Sequence, residues 1–513
     1  MGFSLLSAGN ILIAIITYIR FAEIVQIFGT TWQTDAASIA MVIPLLLQQL
    51  ISTAFGSVFI PVYSRVLVAG GKEKANRLIS RIIYWMIILG SVMTGLVYVS
   101  GSTLISLIGP GVQLATSVLA MKMLWIFLPL VFLNAIEGVL QNFLNYGKRY
   151  GLVSFVRVLQ IFVSFLVVLW GHKTFGIFII PVSGLAGAIV SFFVTAGIAF
   201  NHNLRLCPAF DPRDKDFKEL VRLAVPIIIG TLTGFLGPVA DKALASFLQA
   251  SSVTAIDYAT RIKNLVRMLL IQPVIILSIV SFSRIAAESN ITKLKENISS
   301  FIMNISYYAV PTAGIFVLLS VPIVSVLFQR GSFGPEQSRQ IGYALAFYSP
   351  WFAQFGIGRI IDRAFYSLKD TTTPVVLGIW AMLANILLNV ILLQPLGIGG
   401  LALATTLTST TKTFLLVYFL RKRLGGVNGS IFIPEYLKIL LATILMLGSL
   451  FLSRSLFHFD LNAPLTDKLV SLLLQILPAV VVYIVATALL KSKIYTNSRN
   501  MIKRYFDSKR RNL

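Results

Sequence analysis

The stretch Thr17–Arg65, TYIRFAEIVQIFGTTWQTDAASIAMVIPLLLQQLISTAFGSVFIPVYSR, decides the fold class. Two apolar runs flank a short polar turn after Gly29, and each is long enough to cross a hydrocarbon core of about 30 Å as a helix. Yet Arg20 and Glu23 sit inside the first run, Asp35 opens the second, and Gln48 and Gln49 lie in its middle. An ionisable group in a lipid-embedded helix is costly unless it faces a polar cavity or a partner. The hairpin therefore reads as part of a helical membrane protein that carries an internal polar site.

The rest of the chain repeats this pattern. Its 513 residues are 57% hydrophobic and 12% charged, with a mean hydropathy of +0.85. A soluble protein of this size needs more polar surface. Apolar runs of about 20 residues are too long for barrel strands. Fourteen runs are expected to span, among them 36–63, 82–108, 255–283 and 341–367. The first, 4–28, reads as a retained span, since the basic start and cleavage site of a signal peptide are missing. A single cysteine, Cys207, excludes an internal disulfide, and three histidines lack metal-ligand spacing. With no phosphate-binding loop and no assembled nucleophile, neither an enzyme nor a bound cofactor is expected.

The net charge of +24 would suggest nucleic acid in a soluble chain, but here it marks cytoplasmic loops. With the N-terminus inside, the inner segments hold 28 Lys and Arg and the outer segments 5. Both termini are thus expected in the cytoplasm. The chain also echoes itself: Asp35 recurs as Asp257, Tyr146 as Tyr366 and Arg65 as Arg284, while Gly184-Leu-Ala-Gly187 is echoed by Gly397-Ile-Gly-Gly400. The expected architecture is all-α and polytopic, with about 14 transmembrane helices. Two pseudo-symmetric six-helix lobes, 1–222 and 223–425, would surround a central cavity. Two further spans in 426–490 and a basic tail, 491–513, would complete the chain.

Ten basic and six acidic residues fall inside the runs, an embedded balance of +4. Lys122, Arg157 and Arg363 lie within snorkelling reach of a span end. Arg359 with Asp362, and Asp257 with Arg261, have the spacing of local ion pairs. Arg20, Asp241, Lys242, Arg261, Lys263 and Arg267 are harder to explain so. A cationic interior suits an anionic ligand, with Arg as a bidentate phosphate donor and Lys as a mobile charge. Gln48, Gln49, Asn134, Asn142, Asn385 and Asn389 offer contacts to sugar or amide groups, or hydrogen bonds between helices.

Four stretches carry a family resemblance. They are Ile27-Phe-Gly29 with Thr34-Asp-Ala36 and Phe59-Ile-Pro61; Leu327-Phe-Gln-Arg-Gly-Ser-Phe333; Ala364-Phe-Tyr-Ser-Leu-Lys-Asp370 with Thr373-Pro374; and Asn385–Ala404. The chain resembles the MurJ (MviN) family of lipid II flippases, in the multidrug/oligosaccharide-lipid/polysaccharide exporter superfamily. The resemblance implies alternating-access export of an undecaprenyl-pyrophosphate-linked muropeptide across the bacterial inner membrane. Arg20 and Arg261 match cavity arginines, and Asp35 matches the acidic residue after the first turn. Ala14, Gln48-Gln49 and Asn264 depart from the family pattern, and Lys242, Lys263 or Arg267 would supply the missing charge. Glu23, Asp35 and Asp241 are candidate partners of a coupling cation, with membrane potential as the other energy source. The resemblance leaves room for membrane lipids and cell-wall synthesis proteins as partners, and none for nucleic acid. The rivals are an O-antigen-type flippase, a drug/cation antiporter, for which an acidic cavity is expected, and a membrane scaffold acting through its tail.

Overall fold

The computed structural model describes residues 2–208, 211, 214–287, 291–426 and 429–496; the basic tail from 497 onward and the side chain of Arg284 lie outside the described set. The described residues form helices and connecting turns, without a strand. The expected apolar runs lie mostly in helix, although the run expected over 223–249 outlasts its helix, which ends at Ala245. Nine helical stretches among the described residues are long and apolar enough to cross a membrane, judged by length and composition.

The first compact unit comprises Met1–Thr254 with Arg330–Phe333. Its helix α1 (Gly2–Phe28) ends at Gly29, whose φ of +59° suits a residue without Cβ. A capping box between Thr31 and Thr34 then starts α2 (Trp32–Ala40). Next comes α3 (Val42–Ile108), 67 residues holding two apolar runs and the charged segment between them. That segment, expected as an inner loop, is helical and broken only at Gly71 (φ +71°), because pairs such as Glu73–Arg77 at 2.6 Å support a polar helix. Helices α4 (Leu114–Tyr146), α5 (Tyr150–Phe175), α6 (Ile179–Asn201) and α7 (Lys215–Ala245) follow. The start of α7 is tied to α3 by Arg81–Asp214 at 2.8 Å, Lys74–Asp216 at 3.2 Å and Arg65–Glu219 at 2.6 Å. The Arg65 fork holds the Glu219 carboxyl below its ordinary range. The loop at Gly331–Ser332 closes onto α1, with Ser332 N donating to the Gln26 carbonyl at 2.8 Å. Two of the family-like motifs therefore meet in space.

The chain passes into the second unit, Ala255–Gln329 with Gly334–Leu513, within α8 (Ser252–Val266). A π-helical turn, Arg267–Ile271, separates α8 from α9 (Gln272–Ala287). After α10 (Ile291–Phe328), the run expected over 341–367 is two helices, α11 (Pro335–Tyr348) and α12 (Trp351–Ser367). Pro350, with no N–H to donate, sits at the break. Asp370 starts α13 (Thr372–Leu396) by accepting from Thr373 N at 3.0 Å and Oγ1 at 2.9 Å. Those bonds, with Arg423 beside them, hold its carboxyl below the usual range. Helices α14 (Ile398–Leu424), α15 (Gly429–Leu456) and α16 (Leu465–Leu489) complete the unit.

Backbone conformations recur between the units. Lys148 and Lys369 share φ near +60°, and Gly176 (53°, −137°) matches Gly397 (54°, −131°) at the ends of α5 and α13. The glycine-rich echo also has a packing cause. A Cβ at Gly187 would stand 2.5 Å from the Gln160 carbonyl on α5, and one at Gly400 would strike the Leu392 carbonyl on α13. Small residues at these points let paired helices approach closely.

Candidate functional site

In the first unit, a cavity of about 440 Å³ opens among α1, α3, α4 and α5, lined by polar groups that include Gln48, Asn134, Gln141, Asn142 and Gln160. Glu137 of α4 lies against it, 2% exposed. Its carboxylate accepts from Ser191 Oγ at 2.8 Å, Thr195 Oγ1 at 3.1 Å and Gln141 Nε2 at 2.8 Å. Arg157, expected to snorkel outward, turns inward and donates from Nε to Gln141 Oε1 at 3.0 Å. A carboxylate with three donors and a guanidinium one residue away is a balanced buried charge. Helix α6 supplies two of those donors because Ser191 and Thr195 are i,i+4 on one face.

Arg20 is half-buried on α1 and donates to Ser183 Oγ on α6 at 3.0 Å. Glu23 is half-buried one turn further along. Gln48 lines the cavity, whereas Gln49 is exposed and bonded to Thr53 at 3.0 Å. Asp35 is buried, and both its oxygens are engaged: Ser251 N donates at 2.6 Å, Thr254 N at 2.7 Å and Thr254 Oγ1 at 2.6 Å. It satisfies amides that α8 leaves without intrahelical partners in its first turn. Lys242 Nζ donates to the Ser38 carbonyl at 3.0 Å, with Asp241 half-buried beside it on α7.

In the second unit, Arg261 donates to Asp257 at 2.9 Å, the i,i+4 pair its spacing suggested. Lys263 is 7% exposed and lies 3.9 Å from the Tyr348 ring centroid and 4.8 Å from that of Trp351. One turn on, Arg267 sits 5.7 Å from the Phe355 ring, which stacks on Trp351 at 4.3 Å. Thus Tyr348, Trp351 and Phe355 form an aromatic ladder, and cations four residues apart on the facing helix rest on its rungs. The sequence marked these cations as ligand contacts, but the spacing of the aromatics at 348, 351 and 355 was the available signal for their support. Arg359 lies 5.4 Å from the same Phe355 ring and 3.5 Å from Asp362. Asn389 donates to Asn385 at 3.3 Å, and Asn385 to Thr405 at 3.4 Å, so these amides join α13 to α14. Among the described residues, no cluster of His, Cys, Asp and Glu could hold a metal ion.

Long apolar helices that carry charges in their interiors mark a multi-pass membrane protein. The chain belongs to the MurJ family: the family model described as "Lipid II flippase MurJ" matches residues 24–491. Probable lipid II flippases MurJ of Vibrio cholerae and Aquifex aeolicus are 24% and 26% identical to it; the alignments cover 80% of this chain and 81% of the first relative, and 88% of both chains for the second. A solved lipid II flippase MurJ in an inward closed conformation aligns with a TM-score of 0.79 at 22% identity, covering 94% of this chain and 98% of that one. An inward-facing multidrug resistance MATE transporter of the MOP superfamily aligns with a TM-score of 0.69 at 15% identity, covering 80% and 94%. These structural likenesses concern the fold.

Proposed function

We propose that this protein moves lipid II, an undecaprenyl-pyrophosphate-linked peptidoglycan precursor, from the inner to the outer leaflet of the bacterial inner membrane, with both termini in the cytoplasm. The observation that carries the reading is the family match over 24–491, joined to cations held inside the helices. Arg20, beside Ser183, and Arg261, beside Asp257, would grip the pyrophosphate through the planar forks of donors that guanidinium groups present to phosphate oxygens. The cavity beside Gln48, Asn134 and Asn142 would take amide and hydroxyl groups of the muropeptide, for which paired donors and acceptors are suited. Helices α15 and α16 would accompany the polyprenyl tail; their outward faces carry exposed Leu441, Ile444, Phe451, Val470 and Leu477.

The protein would alternate access between the two sides, which a ligand biases only through unequal affinity for the two states. Net export would draw on membrane potential or a coupled cation, with Glu23, Asp35 and Asp241 as acidic candidates. Since Asp35 already accepts three bonds from the start of α8, it would act through that helix. The domain reading of two six-helix repeats over 1–222 and 223–425, with fourteen spans in all, draws support from the matched turns at Lys148/Lys369 and Gly176/Gly397. The test is depletion in intact cells followed by assay of lipid II exposed outside. Loss of exposed lipid II is expected; unchanged lipid II with loss of another lipid-linked glycan would replace the reading with the O-antigen-type alternative.

A further inference from the structure

Beyond the aromatic ladder, the second unit gathers more cation than it neutralises. Asp362 of α12 is 3% exposed, and its Oδ2 lies 3.5 Å from Arg359 and 3.9 Å from Lys412 of α14. Arg363 adds a third positive charge within electrostatic reach of the same carboxylate. Arg267 of the π-helical turn and Arg359 both lie within 5.7 Å of the Phe355 ring, near enough for the two guanidinium groups to repel. Three cations thus share one carboxylate, and Arg267 adds a fourth positive charge beside Arg359. The Phe355 ring attracts them but carries no net charge. Among the described residues, Arg267 Nε is a buried donor without an acceptor, and Asp362 Oδ1 a buried acceptor without a donor. Like charges drawn together in a low-dielectric setting call for a counter-anion. A π-turn at this point is also a common mark of a functional site.

We propose that Arg267, Arg359 and Lys412 form a binding site for a phosphoryl anion, with Asp362 holding Arg359 and Lys412 in place and limiting the affinity. The ligand chemistry is a phosphate or pyrophosphate group. Two planar guanidinium forks can each donate twice to such oxygens, and the ammonium adds a point charge. The site extends the proposed function, since it would give the pyrophosphate of a lipid carrier a station in the second unit separate from Arg261. Its test does not depend on transport.

The experiment titrates inorganic pyrophosphate into the full-length protein in lipid nanodiscs. An Arg20→Gln/Arg261→Gln background removes the two arginines already assigned. Binding is expected to persist there, to weaken about tenfold on adding Arg359→Gln or Lys412→Gln, and to be largely kept by Arg359→Lys. Asp362→Asn should tighten it, because the competing charge is gone while the shape remains. Arg339→Gln, on an exposed residue paired with Glu336, is the control. Competition in phosphatidylglycerol discs and its absence in phosphatidylcholine discs would identify a lipid headgroup as a source, whereas equal binding in both would identify a soluble or carrier-linked one. Pyrophosphate binding indifferent to Arg359 and Lys412, or weakened by Asp362→Asn, would overturn the site. Failure of lipid II export in cells, with this binding intact, would overturn the transport reading and leave the site standing.

Discussion

In the first unit, Arg157 reaches Glu137 through Gln141, and Ser191 and Thr195 complete the carboxylate's shell. In the second, Lys263 and Arg267 lie on Tyr348, Trp351 and Phe355, and one carboxylate serves Arg359 and Lys412 together. The two regions answer the same problem, charge inside a helical bundle, with different chemistry. Hydrogen-bonded balance fixes one arrangement, since every partner is needed for the others to be satisfied. Aromatic faces accept a cation without neutralising it, so they leave the second region able to attract an anion.

That contrast breaks most readily at Glu137. Glu137→Ala removes the acceptor of three donors and strands Arg157, so a loss of about 3 kcal/mol is expected, read as a lower melting temperature in detergent. Glu137→Gln keeps the shape and one acceptor oxygen and should cost less. A melting temperature unchanged by Glu137→Ala would show that the network does not stabilise the bundle. Asp35→Ala comes next: loss of a helix cap is worth about 1–2 kcal/mol, and hydrogen exchange at the Ser251 and Thr254 amides should accelerate while the centre of α8 stays protected. In the second region, Lys263→Met should change stability by less than about 1 kcal/mol in either direction, since an apolar chain also packs on aromatics. A loss as large as that of Glu137→Ala would erase the distinction between the regions.

The smallest effect concerns pH at the start of α13. The Asp370 carboxyl is held below its ordinary range, first by the bond from Thr373 N. Its stabilisation is therefore complete above the unfolded-state value of about 3.9 and is lost as pH falls through the lower folded-state value. Asp370→Asn should flatten the decline in melting temperature on that acid side. A decline as steep as the wild type's would remove Asp370 from the account.

Much of this was legible in the chain. Apolar runs of spanning length gave the helices, and Asp257–Arg261 and Arg359–Asp362 are the local pairs their spacing suggested. Local spacing could not show which way Arg157 turns, because its partners Glu137 and Gln141 come from α4 and were brought near by α5 packing. Nor did it reveal that Asp35 would meet Ser251 and Thr254 across some 216 to 219 residues. The break at Pro350 and the helical segment around Gly71 were written in proline, glycine and i,i+4 charge, signals that hydropathy runs conceal. The recurrence of Gly184–Gly187 as Gly397–Gly400 was visible as pattern, but its cause is the carbonyl against which each helix packs.

The central claim is that cations held inside the helices grip the pyrophosphate of a lipid-linked cargo. It is tested most directly in vesicles containing the purified full-length protein and lipid II, by measuring transfer of lipid II between leaflets for wild type, Arg20→Gln and Arg261→Gln. The account predicts that each substitution slows transfer at least about tenfold, the loss of one charge-assisted contact, while the folded protein keeps its melting temperature. Transfer at the wild-type rate by both variants would contradict it.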